Sequence, residues 1–216
     1  MNSRDKILGS LRKANTDIPK SLPLKIEDKD LFKDYPEDIL KSFIEHFEAL
    51  AGVVFVVKSY EEAARRLISM INVKSEKPCL IQTAPLCLRL MEHRSELKSY
   101  LAYDDDLRIS SSDFAMYEVG VTIADYLVAR TGSIVLNAND MGGRRLSVLP
   151  PIHVVLAFRN QIVPSLEDVF RGYASDKKDW SYATIITGAS RTADIEKILV
   201  LGAHGPKRLV CILIDQ

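Results

Sequence analysis

The sequence predicts an α/β fold in which a mostly parallel sheet, covered by helices on both faces, carries one antiparallel hairpin. Short apolar runs such as "GVVFVV", "PCLIQT" and "IHVVLAF" alternate with stretches of helical period, the pattern of βαβ crossovers. The run "DYLVARTGSIVL" is two apolar segments joined by Arg130, Thr131, Gly132 and Ser133, with glycine at the third turn position, which suits a hairpin requiring positive φ. The chain has 216 residues, 47% hydrophobic and 27% charged, enough to bury one sizeable core.

Residues 3 to 14 read as a helix, with Ile7, Leu8 and Leu11 at i, i+1 and i+4, Ser3 as cap and Asp5 near the positive end. The segment "TDIPKSLPLKIEDKDLFKDYP" carries Pro19, Pro23 and Pro36 among many charges and reads as an extended connector. Residues 1–35 are thus expected to be an N-terminal helical arm and linker, and 36–216 the α/β domain. An apolar stripe on such an arm must pack on something, and a neighbouring subunit of a homo-oligomer is the expected partner.

A helix from about 37 to 50 carries Ile39, Leu40, Phe43, Ile44, Phe47 and Leu50 and feeds a buried strand at 52–57. Ser59 caps the next helix, expected to about 71, with Glu61 and Glu62 in its first turn. "PCLIQT" is a second strand, 86–97 a helix and "LRIS" (107–110) a short third strand. After the hairpin, the loop "NANDMGGRRLSVLPP" leads to the strand "IHVVLAF", then "QIVPSLEDVF" supplies a turn and a helix start. The last unit is the strand "ATIIT", a helix and the strand "RLVCILI". In that helix Thr192 is the N-cap, Asp194 lies in the first turn, and Gly202 suits the C′ position before Gly205 and Pro206.

Composition excludes several function classes. Lys plus Arg and Asp plus Glu are both 29, so no general basic field draws in nucleic acid or an anionic membrane, and any anion site is local. The N-terminus lacks a signal-peptide apolar region and no stretch approaches a membrane helix, which predicts a cytoplasmic protein. Cys79, Cys87 and Cys211 are widely spaced with no CxxC pair, so they read as reduced core residues. With no Walker motif, GxGxxG, metal-ligand spacing or nucleophile elbow, neither metal nor cofactor is expected.

Three constellations remain. In "TGASRTADIEKILVLGAHGP", Gly188, Ala189 and Ser190 allow close backbone approach, Ser190 and Thr192 supply hydroxyls, and Arg191 supplies charge near a helix start that favours an anion. The competing reading pairs Arg191 with a local carboxylate such as Asp194, and His204 is a C-terminal capping or loop histidine. In "NDMGGRRLS", Gly142 and Gly143 can form an anion nest with charge from Arg144 or Arg145; the competing reading is a surface turn. His153, after Pro150 and Pro151, is either a buried hydrogen-bonded histidine or one edge of the same pocket. Glu118 and Asp125 flank an apolar run, and Asp125 is a pocket candidate beside Thr131 unless an arginine pairs with it.

Together, "ADYLVARTGSIVL", "GGRRLSVLPPIHVVL", "QIVPSLEDV" and "SRTADIEKILVLGAHGP" resemble the lactate-utilization protein C family, the LUD-domain proteins, in order and spacing over residues 120 to 214. The resemblance implies a three-layer αβα fold like that of the ribose-5-phosphate isomerase and CoA-transferase group. It also implies a non-redox role, beside iron–sulfur lactate-utilization proteins, in oxidising L-lactate to pyruvate. This chain departs from the family pattern at Arg130, where an acid usually precedes the Thr-Gly turn, and at Gly188-Ala189-Ser190, where the family usually has Gly-Pro-Ser. Two alternatives are a stand-alone enzyme or binding protein for a phosphorylated or acyl-carboxylate metabolite, and a structural assembly module. Whether the chain catalyses a reaction is left open by the sequence.

Overall fold

The computed structural model describes residues 3–14, 36–71, 76, 78–99, 101–103, 110, 112, 116–137, 145–175, 182–192, 200–201 and 205–216. The chain divides into two compact units, Met1–Asp34 and Tyr35–Gln216. In the first, α1 (Ser3–Ala14) forms as the apolar spacing predicts, and it leaves Ile7 61% and Leu8 40% exposed.

The second unit is α/β. Its main sheet has six parallel strands in the order β1 (Gly52–Val57), β12 (Arg208–Ile214), β7 (Ile152–Phe158), β4 (Val119–Ile123), β2 (Cys79–Gln82) and β3 (Leu101–Tyr103). The central strands are apolar on both faces, as a sheet covered twice requires. In β12, Val210, Ile212 and Ile214 face one core while Leu209, Cys211 and Leu213 face the other; in β7, Val154 and Leu156 oppose Val155 and Ala157.

The first core is closed by α3 (Tyr60–Ile68) through Ala63, Ala64 and Leu67, and by α4 (Pro85–His93) through Leu86, Cys87 and Leu90. The opposite face is closed by α2 (Ile39–Ala49), whose Phe43 and Phe47 rings stack at 5.4 Å, and by a smaller sheet. That sheet runs β8 (Ile162–Val163), β5 (Tyr126–Val128), β6 (Ser133–Asn137), β9 (Ala183–Ile186), antiparallel except for the β5–β8 pair. Leu127, Ile134 and Leu136 point at the main sheet, whereas Val128 and Val135 meet Val169 and Tyr173 of α6 (Leu166–Ser175) on the outside.

Local chemistry sets the element boundaries. Asp38 and Ser59 cap α2 and α3, accepting from the Lys41 and Glu62 amides at 3.0 and 3.1 Å. The hairpin turns at Gly132 with φ +61°, and a Cβ there would lie 2.4 Å from the Phe47 amide nitrogen, so glycine also lets the turn sit against the α2 backbone.

Several expectations are corrected. The edge strand beside β2 is Leu101–Tyr103, which the sequence reading did not pick out; 107–109 of the expected strand "LRIS" lie outside the described residues. The helix begun at Pro85 ends at His93, and Ser95–Ser99 is a 3-10 turn. "ATIIT" joins the small sheet, not a parallel crossover, since its partner is β6. Arg191–Thr192 (β10) and Val200–Leu201 (β11) pair as antiparallel strands, so the helix expected before Gly202 does not run through Val200 and Leu201. An apolar pair as short as Val200–Leu201 satisfies either period, and here pairing decided. Residues 193–199, Gly202 and His204 lie outside the described residues, as does the connector 15–35.

Candidate functional site

The N-terminal ends of β7 and β12 open beneath the end of β9 into a cavity of about 220 Å³. Its walls are aliphatic: Ile185 and Ile186 from β9, Leu209 from β12, Val148 from α5 (Arg145–Val148) and Pro206. Its polar lining residues are His153, the second residue of β7, Ser147 of α5, and the loop Gly188–Ser190 with Gly205.

Each wall is held by a contact that sequence chemistry explains. Gly120, opposite His153 in the β4–β7 register, has no side chain, and a Cβ would fall 2.3 Å from the Leu146 carbonyl oxygen. Glycine therefore lets α5 lie directly on β4 and brings Ser147 to the cavity. Gly188 has φ +84°, and a Cβ there would lie 2.9 Å from the Leu50 carbonyl oxygen, so the loop turns tightly against the end of α2. The Ser190 amide donates to the Pro206 carbonyl at 3.0 Å and closes the rim. Behind the loop, Thr131, Ser133 and Thr187 form a hydroxyl chain with steps of 2.7 and 2.8 Å, tying the hairpin turn to the residue before Gly188.

His153 is completely buried. Its Nε2 lies 2.8 Å from Oγ1 of Thr122, itself fully buried on β4, while Nδ1 has no hydrogen-bond partner among the described residues. Burial pushes the imidazole down to about 3, so it is neutral near pH 7 with one proton on two nitrogens. Nδ1 is thus an unmet buried nitrogen, closed off from solvent.

Of the residues singled out in the sequence, the structure brings Gly188, Ser190 and His153 to one cavity. Thr131 reaches it only through the hydroxyl chain. Asp125 is not part of it: five residues beyond Gly120 and past the far end of β4, it stands roughly 15 Å along the strand direction from His153. It accepts from the Tyr173 hydroxyl at 2.8 Å instead, and burial followed by that hydrogen bond pushes the Tyr173 phenol up, keeping it a donor. Glu118 and Asp125 lie at opposite ends of β4, so they are no acid–base pair. Arg145 is the half-buried first residue of α5, and Arg191 and Thr192 form β10. Gly142, Gly143 and Arg144 lie outside the described residues.

Sequence reading missed Thr122, Ser147, Gly205 and the aliphatic wall. A threonine amid "VGVTIAD" carried a faint signal, a polar side chain where a doubly covered strand is otherwise apolar. Among the described residues no group of His, Cys, Asp or Glu is arranged to hold a metal ion, and no helix is long and apolar enough to cross a membrane. The three cysteines are buried and burial pushes each thiol up, to about 12 for Cys87 and Cys211.

A family model described as the LUD domain matches residues 40–214. Proteins named lactate utilization protein C are similar to this chain. That of Halalkalibacterium halodurans is 35% identical over 103 residues, 46% of this chain and 45% of the relative. That of Deinococcus radiodurans is 30% identical over 111 residues, 51% and 52% of the two chains. That of Bacillus subtilis is 35% identical over 102 residues, 45% and 42%. The chain thus spans about half the length of the curated relatives it matches. A crystal structure of a DUF162 family protein from Deinococcus radiodurans shares the fold with TM-score 0.62 at 21% identity, covering 82% of this chain and 96% of that one.

Proposed function

Because this chain belongs to the LUD domain family, we propose that it acts in lactate utilization as a subunit of a cytoplasmic complex oxidising L-lactate to pyruvate. Its part is to bind a small anionic ligand or iron–sulfur partner proteins, while the partners carry the electrons. The name shared by the relatives, lactate utilization protein C, supports the pathway.

The convergence of His153, Gly188 and Ser190 on one cavity carries the ligand-binding part of this reading. Charge for an anion is assigned to the arginines of the neighbouring segments. Arg145 precedes cavity-lining Ser147 by two residues, and Arg191 directly follows Ser190. Arg144, Thr192 and the Gly142-Gly143 amides complete the assigned set.

The test is growth on L-lactate of a deletion strain complemented with the wild-type gene or with Ser190→Leu, which fills the rim of the cavity. Wild type restores growth, and Ser190→Leu fails while keeping its melting temperature. Anaerobic purification brings down iron–sulfur proteins with the wild type. A deletion strain that grows on L-lactate at the parental rate removes the pathway role.

A further inference from the structure

β1 is an edge of the main sheet, with β12 on one side and, among the described residues, no strand on the other. We propose that this edge binds an extended, acidic segment of another protein, which adds as a further strand beside β1 and sets its carboxylates against Arg65 and Arg66 of α3. The small sheet that roofs the cavity covers the opposite face from α3, so the inference stands apart from the ligand site and from the pathway.

Backbone direction gives the edge its donors and acceptors. The Asp215 amide donates to the Val57 carbonyl at 2.9 Å, so Val57 addresses β12. The N–H and C=O of one residue leave a strand on the same side, and successive residues alternate. Val53 and Phe55 therefore also address β12, whereas Gly52, Val54 and Val56 address the outer side. The Lys58 amide keeps the alternation, turning away from β12 to the Glu62 carboxylate at 3.0 Å. The run "GVVFVV" carries neither proline nor charge and pairs with β12 in unbroken register over six residues, whereas β3 at the opposite edge has three. Shortness, charge and proline are the usual protections of an edge against an added strand, and β1 has none of them. Val53 and Val56, on opposite faces of the strand, are 37% and 38% exposed, and β-branched side chains of this kind gain from a neighbouring strand.

The chemistry of the incoming segment is read from α3. Arg66 lays its guanidinium carbon 4.8 Å from the Phe55 ring centroid, and with Glu62, Arg65 and Ser69 it lines a groove of about 330 Å³ beside β1. Glu62 is engaged by the Lys58 amide, and Glu61 by Arg94 at 2.7 Å. Arg65 and Arg66 are exposed, and among the described residues neither is paired with a carboxylate. Alternate side chains of a strand share a face, so acids at every second position of the segment meet the two guanidiniums on the α3 side. Its remaining side chains lie beside Val56 on the other face, the arrangement of an added strand that takes affinity from main-chain bonds and specificity from alternate side chains. A second copy of β1 fits less well: antiparallel pairing about a two-fold axis keeps α3 on one face and brings Arg65 and Arg66 of both chains to the same side.

The ¹⁵N-labelled full-length protein is titrated at low salt with a peptide alternating glutamate and valine, long enough to span the six residues of β1, and with its lysine-for-glutamate counterpart. The glutamate peptide is expected to bind with a Kd below about 1 mM, and the lysine peptide at least about tenfold more weakly. Binding slows amide hydrogen exchange at Val54 and Val56 and leaves Phe55 and Val57, which address β12, little changed. Arg65→Glu with Arg66→Glu in one chain, both changes on exposed side chains, reverses the preference between the peptides. Val56→Pro removes an outward donor at a position where an edge tolerates proline, and abolishes binding of the glutamate peptide. No binding at about 1 mM, equal affinity for the two peptides, or an unchanged preference in the arginine variant overturns the inference. So does slow exchange at Val54 and Val56 before peptide is added: if it survives dilution the chain covers its own edge, and if dilution abolishes it the occupant is a second copy. Growth on L-lactate bears on the pathway alone, so either reading can fail without the other.

Discussion

His153 sits among apolar neighbours with its folded pKa pushed to about 3, far below the roughly 6.5 of an exposed imidazole. The sign of the consequence follows from proton binding. Below pH 6.5 the unfolded chain takes up a proton that the folded one refuses, so stability falls as pH drops from 6.5 toward 3. Between pH 6.5 and 5, above the range where most carboxylates titrate, this one residue contributes a slope approaching about 1.4 kcal/mol per pH unit. His153→Gln is less stable at pH 7, but its stability is expected to be flatter over that interval. Denaturant titrations at pH 7, 6 and 5 measure both slopes; equal slopes show that His153 titrates alike in the two states. The histidine itself was visible in the sequence as either a buried hydrogen-bonded residue or an edge of the pocket of the Gly142–Arg145 loop; it is buried and hydrogen-bonded, and 142–144 lie outside the described residues. Its partner was not visible, because Thr122 becomes significant only when the β4–β7 register sets Gly120 against His153 and leaves the threonine one pleat further along the same face.

At the scale of elements, the segments with strong local chemistry were the legible ones. Ser59 was read as a cap and accepts from the Glu62 amide, so Ser59→Ala is expected to lower stability by about 1 kcal/mol through α3 alone. The hairpin was read from Gly132, whose positive φ is only part of the requirement. An alanine Cβ would lie 2.4 Å from the Phe47 nitrogen and 2.6 Å from the His46 carbonyl carbon, both helix backbone, which cannot turn aside as a side chain can. Gly132→Ala is thus expected to cost more than the ~1–3 kcal/mol of a strained backbone position alone, lowering the melting temperature by roughly 5 °C or more. A thermal melt within a degree or two of wild type contradicts the close packing of hairpin on helix. By contrast β4, β8 and the pairing of β10 with β11 escaped the sequence. Their residues carry no turn or cap of their own, and they are strands because of what lies beside them.

For the whole molecule, the alternation of apolar and helical segments was enough to give a doubly covered parallel sheet, since strands apolar on both faces have no other stable setting. That a separate small sheet covers one face was not legible, because sequence order does not say which sheet "ATIIT" joins. The N-terminal unit raises a different question. Its helix leaves Ile7 and Leu8 exposed, while the unit Tyr35–Gln216 holds the clusters that bury both faces of the main sheet. A chain lacking residues 1–34 keeps every residue of those clusters and is expected to fold, with a melting temperature within about 2 °C of the full-length protein. Exposed apolar side chains on an amphipathic helix gain by burial, about 1.5–3 kcal/mol for a side chain taken wholly out of water. If that burial is supplied by a second copy, the truncated chain sediments at the mass of one protomer while the full-length protein sediments at a multiple of it. Ile7→Asp with Leu8→Asp in the full chain reproduces the truncation, since carboxylates at both positions oppose burial while leaving the rest of the arm in place. The same number of protomers for all three proteins refutes the oligomerising arm, and a melting temperature that collapses on truncation shows instead that residues 1–34 complete the core of their own chain.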